Sequence, residues 1–192
     1  MTASVGDGGA DARQGRAGDE LASRLRSLIR DVPDFPREGI LFKDVTTVFA
    51  DGASFHAAVD ALAGVYRDQH VDVVVGVESR GFVIGAAVAY ALGAGFVFVR
   101  KQGKLPAPVI SHAYTLEYGE AVLEMHADAI TRGQRVLVVD DLLATGGTAA
   151  ATVSLAEQLG GVVVGIAFLV ELAALAGAQA LGGRPYVSLV RF

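Results

Sequence analysis

Apolar residues recur at helical spacing early in the chain. Leu21, Leu25, Leu28, Ile29 and Val32 share one face, which predicts an amphipathic helix from about Asp19 to Asp31. Pro33 and Pro36 then interrupt the chain. A second helical pattern, Ala53 to His70, puts Phe55, Val59, Leu62 and Tyr66 on one side. At Val71 the periodicity changes. VDVVVGVE is a continuous β-branched run, the pattern of a strand covered on both faces. Between Arg80 and Arg100 lies GFVIGAAVAYALGAGFVFV, uncharged and long enough by hydropathy to span a bilayer. The glycines of GAG, Gly93 to Gly95, divide it, and FVFV is β-prone, so it reads as a buried helix followed by a buried strand. VLVVDD, TAAATVSLAEQLG, VVVGIAFLV, ELAALAGAQAL and YVSLV then alternate strand and helix. That alternation predicts an α/β fold with a doubly wound parallel sheet.

One segment breaks the rhythm. RKQGKLPAPVISHAYTLEYGEAVLEMHADAI, Arg100 to Ile130, starts basic and Gly/Pro-containing, then shows two alternating segments flanking Gly119, where a hairpin turns. An insertion of this length in a compact domain is a functional loop or lid.

Composition narrows the function classes. The 192 residues suit one domain, expected over 19–192, with 1–18 as a flexible tail rich in Gly, Ala, Asp and Arg. The tail lacks the apolar stretch of a secretory signal. A hydrophobic fraction of 52% and a mean hydropathy of +0.45 indicate a folded chain. The net charge of −5 disfavours nucleic acid and anionic membranes as partners. Without cysteine there is no disulfide, cysteine nucleophile or thiolate metal site, and the chain suits the reducing cytoplasm. His56, His70, His112 and His126 have no metal-ligand spacing.

The densest chemistry lies in VLVVDDLLATGGT, Val136 to Thr148. Ligands of a parallel sheet sit beyond the carboxyl ends of its strands, where Asp140 and Asp141 stand. The turn Ala144-Thr145-Gly146-Gly147-Thr148 opens the next helix, and its N–H groups and helix dipole suit a phosphate. Carboxylates repel phosphate, so they serve another part of the ligand: vicinal hydroxyls or a hydrated Mg²⁺. A sugar phosphate satisfies both. A Walker A loop needs Lys where Gly147 stands, and G-x-G-x-x-G is absent from the turn. Arg80, after the valine-rich strand, offers fork geometry for a pyrophosphate, and Arg100, Lys101 and Lys104 surround Gly103 in a basic loop able to fold over one. Glu117 is a carboxylate available for proton transfer. Taken alone, Arg80 and the loop cations read first as solvated surface groups, and Glu117 as a hairpin-edge glutamate.

These residues together resemble a known family. VLVVDDLLATGGT is similar to the phosphoribosyl-pyrophosphate (PRPP) motif of type I phosphoribosyltransferases. DFPREGILFKDVT, GVESRGFVIG, RKQGKLPAP and YTLEYGEAVLEMH resemble the adenine phosphoribosyltransferase family, in the same order, from about Leu21 to the C-terminus. The resemblance implies a Rossmann-like parallel sheet flanked by helices, a small base-binding hood, a mobile loop and a homodimer. It implies transfer of the phosphoribosyl group of PRPP to adenine with Mg²⁺, giving AMP and pyrophosphate in purine salvage. On the matching positions, Asp140 and Asp141 contact the ribose hydroxyls and Ala144, Thr145, Gly146, Gly147 and Thr148 hold the 5′-phosphate. Arg80, Arg100 and Lys104 contact pyrophosphate. Glu117 acts as general acid or base, with Tyr118 helping to close the loop. Phe42 stacks on adenine, and the main chain of Leu41 and Lys43 reads its edge. Asp140 and Asp141 meet Mg²⁺ through water, the ion otherwise travelling on PRPP. The chain departs from the pattern at Glu38, where proline is common, and at Ala178, where arginine is common. Another purine or orotate phosphoribosyltransferase, or a PRPP-sensing regulator, would share the ATGGT turn. FPREGILFKD and LEYGE favour adenine, and the acidic chain has no helix-turn-helix.

Overall fold

The structure, a computed structural model, describes residues 8–116 and 119–192. It divides into two compact units, Met1–Ala58 and Val59–Phe192. The first unit opens with helix α1 (Gly8–Leu28), which starts before Asp19 and stops before Asp31, the bounds expected from apolar spacing. It stops early because Arg30 enters a strand. Strands β1 (Arg30–Pro33) and β2 (Leu41–Asp44) pair antiparallel, with Val32 opposite Phe42. Asp34 and Gly39 take positive φ in the connection, and the Gly39 N–H donates to the Asp34 carboxylate at 2.8 Å. Arg30 donates to Asp44 at 2.6 Å and Lys43 to Asp31 at 2.6 Å, tying the strands across their width. Asp44 also accepts from the Thr46 N–H and hydroxyl, which starts helix α2 (Thr46–Ala50). Helix α3 (Gly52–Tyr66) and a 3₁₀ turn at Arg67–Gln69 fill the segment expected as one helix to His70.

The second unit is built on a seven-stranded sheet. Strand β3 (Val73–Val77) is buried at every position, as its run of valines requires. Helix α4 (Arg80–Leu92) and strand β4 (Gly95–Lys101) follow, dividing the apolar stretch at Gly93 as expected. Strands β5 (Val109–Leu116) and β6 (Gly119–His126) pair antiparallel, register Leu116 to Gly119. Strand β7 (Arg135–Leu143), helix α5 (Gly147–Gln158), strand β8 (Val162–Glu171) and strand β9 (Tyr186–Arg191) complete the unit. The order is β5-β6-β4-β3-β7-β8-β9. Five strands, β4 to β9 in that order, are parallel. The insertion adds the other two antiparallel, through Arg100 opposite Glu124, so the sheet is mixed rather than wholly parallel. Val75, Val138, Ile166, Phe168 and Leu155 belong to its main apolar cluster.

ELAALAGAQAL is not a helix. It forms two 3₁₀ turns, Ala173–Leu175 and Gly177–Leu181, separated by Ala176 at φ 52°. Gly177 packs against the Ala144 carbonyl so closely that a side chain there would overlap it. Docking onto the β7–α5 turn overrides the alanine-rich helical propensity. Among the described residues, no helix is long and apolar enough to cross a membrane.

Candidate active site

Strand β3 has β4 on one side and β7 on the other, so the order reverses between β3 and β7. Ligands of such sheets bind beyond the strand ends at this switch point. Glu78 to Arg80 follow β3 there, and Asp140 and Asp141 lie near the same end of β7.

Both aspartates are buried, at 8% and 6% exposure, which an ionised carboxylate tolerates only with partners. Arg80 Nε donates to Asp141 Oδ2 at 2.5 Å. The Asp141 N–H donates to Asp140 Oδ1 at 2.9 Å. Burial pushes the Asp140 carboxyl well above its usual range, and the neighbouring Asp141 charge pushes the same way. Gly81, in the first turn of α4, lies against this carboxylate; any side chain there would collide with it.

The turn after β7 makes a small cavity of about 70 Å³ lined by Asp140 and the run from Leu142 to Ala149. Gly146 takes φ 83°, a conformation open to glycine, and caps α5 without any side-chain hydrogen bond. Gly146 thus offers the first N–H groups of α5 no side-chain acceptor, an arrangement able to take an anion with the helix dipole behind it. Two contacts fix the turn from outside. Gly146 rests on the Gly177 carbonyl, and the Thr148 hydroxyl shares a 3.2 Å hydrogen bond with that of Tyr114 on β5.

Arg100 and Lys104 meet at Glu78. Arg100 Nε donates to Glu78 Oε2 at 3.1 Å and Lys104 Nζ to Glu78 Oε1 at 2.6 Å. Arg100 Nη1 also donates to the Lys104 carbonyl at 3.1 Å, and the Gly103 N–H to Glu124 at 2.8 Å. Burial raises the Glu78 carboxyl, but its hydrogen bonds to Lys104 and Arg100 outweigh that and hold it below the usual value.

The structure therefore brings Arg80, Asp140, Asp141 and the turn from Ala144 to Thr148 together, with Arg100 and Lys104 joined through Glu78. Leu41, Phe42 and Lys43 lie on β2 in the first unit, where the Phe42 ring meets Phe35 edge-on at 5.0 Å. Glu117 and Tyr118 lie outside the described residues. Glu78 and Tyr114 escaped the sequence reading as candidates. An acid closing a buried valine strand, as Asp140 does on β7, was the available signal for Glu78; Tyr114 carried none. Among the described residues, no three His, Asp or Glu gather as a metal cage.

Comparison with known proteins completes the description. The sequence matches the phosphoribosyl transferase domain family over residues 44–180. It is 56% identical over 168 residues to an adenine phosphoribosyltransferase of Solibacter usitatus, covering 88% of this chain and 97% of that one. The chain belongs to the adenine phosphoribosyltransferase family. Solved structures of the family superpose on it. The adenine phosphoribosyltransferase of Rhodothermus marinus gives a TM-score of 0.88 at 47% identity, covering 91% of this chain and 99% of that one. That of Saccharomyces cerevisiae, complexed with D-2,5-dideoxy-2,5-imino-altritol 1,6-bisphosphate and adenine, gives 0.84 at 39%, covering 89% and 99%. The phosphoribosyl transferase match contains Arg80, the basic loop and the β7–α5 turn, while Leu41, Phe42 and Lys43 precede it.

Proposed function

We propose that the protein transfers the phosphoribosyl group of PRPP to adenine, giving AMP and pyrophosphate. The observation that carries this is the juxtaposition of a buried aspartate pair with an uncapped helix N-terminus at the sheet's switch point. Few ligands want carboxylates and amide donors so close together; a ribose 5-phosphate does. The yeast relative, with a sugar-like bisphosphate and adenine bound, supports the same ligand classes here.

In this reading the N–H groups from Ala144 to Thr148 hold the 5′-phosphate, and Asp140 and Asp141 accept from the ribose hydroxyls. Arg80, Arg100 and Lys104 bind the pyrophosphate and stabilise charge as the C1′–O bond breaks. The N9 of adenine attacks C1′ from the opposite face, against an oxocarbenium-like carbon related to that of glycoside hydrolysis. Glu117 manages the purine proton, Phe42 stacks on the base, and the main chain of Leu41 and Lys43 reads its edge. The oxygen donors of Asp140 and Asp141 suit Mg²⁺ met through water, with PRPP supplying its other ligands. A Mg²⁺ held there would supply positive charge to offset the negative charge developing on the leaving group.

A homodimer belongs to the same proposal. Val83 and Tyr90, seven residues apart on α4, are 44% and 90% exposed, and Phe98 on β4 is 47% exposed. Phe98 packs edge-on with Phe82 at 5.0 Å and Phe96 at 5.2 Å, forming an apolar surface suited to a second copy. The cysteine-free sequence supports a cytoplasmic location.

A base panel tests the reading. Purified protein with PRPP and Mg²⁺ receives adenine, hypoxanthine, guanine, xanthine or orotate, and nucleotide and pyrophosphate are quantified. AMP from adenine alone is expected. Turnover of another base would remove the adenine assignment. PRPP binding without any turnover would favour a regulator.

A further inference from the structure

Glu78 stands at the centre of the basic groups without any role in the reaction as proposed. Its side chain is 9% exposed, while those of Arg100 and Lys104 are 36% and 46% exposed. The carboxylate therefore lies behind the two cations, and they face solvent and any incoming anion. Each carboxylate oxygen takes one cation, at 3.1 Å and 2.6 Å. The loop backbone is held both by Arg100, which donates to the Lys104 carbonyl, and independently of the two cations by the Gly103 N–H on Glu124.

We infer that Glu78 is an internal counter-anion that positions Arg100 and Lys104 in the ligand-free protein and is exchanged for pyrophosphate when that ligand binds. The inference rests on the proposed pyrophosphate role of those two residues. Two anions compete for one set of N–H donors. Without Glu78 the two half-exposed cations would repel each other and lose the carboxylate that orients them. With it, an arriving pyrophosphate meets oriented donors but must displace a carboxylate, which then repels it from behind. The consequence is weaker product binding and faster pyrophosphate release. The Arg80 side chain, 33% exposed on the 9% exposed side chain of Asp141, shows the same pairing of an outer cation with a buried carboxylate.

The test is inhibition of AMP formation by added pyrophosphate, at fixed free Mg²⁺, in the wild type, Glu78→Gln and Glu78→Asp. Glutamine keeps the shape and removes the competing charge. Its expected effect is pyrophosphate inhibition roughly fivefold tighter, the scale of one partly exposed charge contact. Inhibition by AMP should stay within about twofold of wild type, since no new contact to the nucleotide forms. A purely structural Glu78 predicts the opposite sign: a loosened loop and weaker pyrophosphate inhibition. Unchanged or weaker inhibition in a Glu78→Gln protein with wild-type melting would overturn the inference. If glutamine prevents folding, Glu78→Asp decides. Withdrawing the carboxylate by one methylene should tighten pyrophosphate inhibition, and a constant at or above the wild-type value overturns the inference. Failure of the underlying assignment looks different: Arg100→Ala and Lys104→Ala proteins would form AMP and be inhibited by pyrophosphate as tightly as the wild type.

Discussion

Asp140 concentrates the tension between stability and chemistry. Its folded-state pKa is raised by burial and by Asp141, so between the ordinary value of 3.8 and the raised one the folded protein binds the extra proton. Stability therefore falls as pH climbs through that window, because the folded state holds more protons than the unfolded one. Asp140→Asn removes the charge and keeps the Oδ1 acceptor for the Asp141 N–H. The melting temperature at pH 7 should rise by a few degrees and lose its dependence on pH across the window, read by calorimetry. PRPP turnover should fall at least about a hundredfold in kcat/KM. Gly146 carries the opposite effect. Gly146→Ala meets both a positive φ and the Gly177 carbonyl, so stability should drop by about 2 kcal/mol and AMP binding should be lost. Ala176, at φ 52°, is a non-glycine residue in the same region. Ala176→Gly should leave activity intact and raise the unfolding free energy by about 0.5–1 kcal/mol, read from denaturant titration.

Among the elements, those with unbroken periodicity were legible in the sequence. The valines of β3 and the apolar run of β7 are buried on both faces, so local pattern alone marks them as central strands. The β1–β2 hairpin was not legible, because it is held by Arg30–Asp44 and Lys43–Asp31 pairs between residues far apart in sequence. The two 3₁₀ turns were misread as a helix for the same kind of reason, since a contact with Ala144 decides their form. At the site, the Asp140–Asp141 pair and the glycine turn were legible as one contiguous motif. The meeting of Arg100 and Lys104 at Glu78 joins two segments and leaves no local trace. The Tyr114–Thr148 hydrogen bond is another such link, between the inserted hairpin and the phosphate turn. Tyr114→Phe deletes that link and little else. KM for PRPP should rise roughly threefold to tenfold while kcat stays within about twofold, in steady-state kinetics with adenine saturating.

For the whole molecule, the proposed dimer rests on the exposed aromatic surface of α4 and β4. A single charge at its most exposed point, Tyr90→Asp, should shift sedimentation from dimer toward monomer without altering the melting of the subunit core. A monomeric wild type at micromolar concentration would remove the dimer from the proposal. The seat of the phosphate turn has a reach of its own. Gly146 and Ala144 lean on Gly177, in the segment joining the last two strands, so that segment and the proposed phosphate site are stabilised together. Any ligand favouring the ordered turn must also suppress local opening around Gly177. A nucleotide's phosphate would thereby shield from proteolysis a stretch of chain that no part of the nucleotide touches.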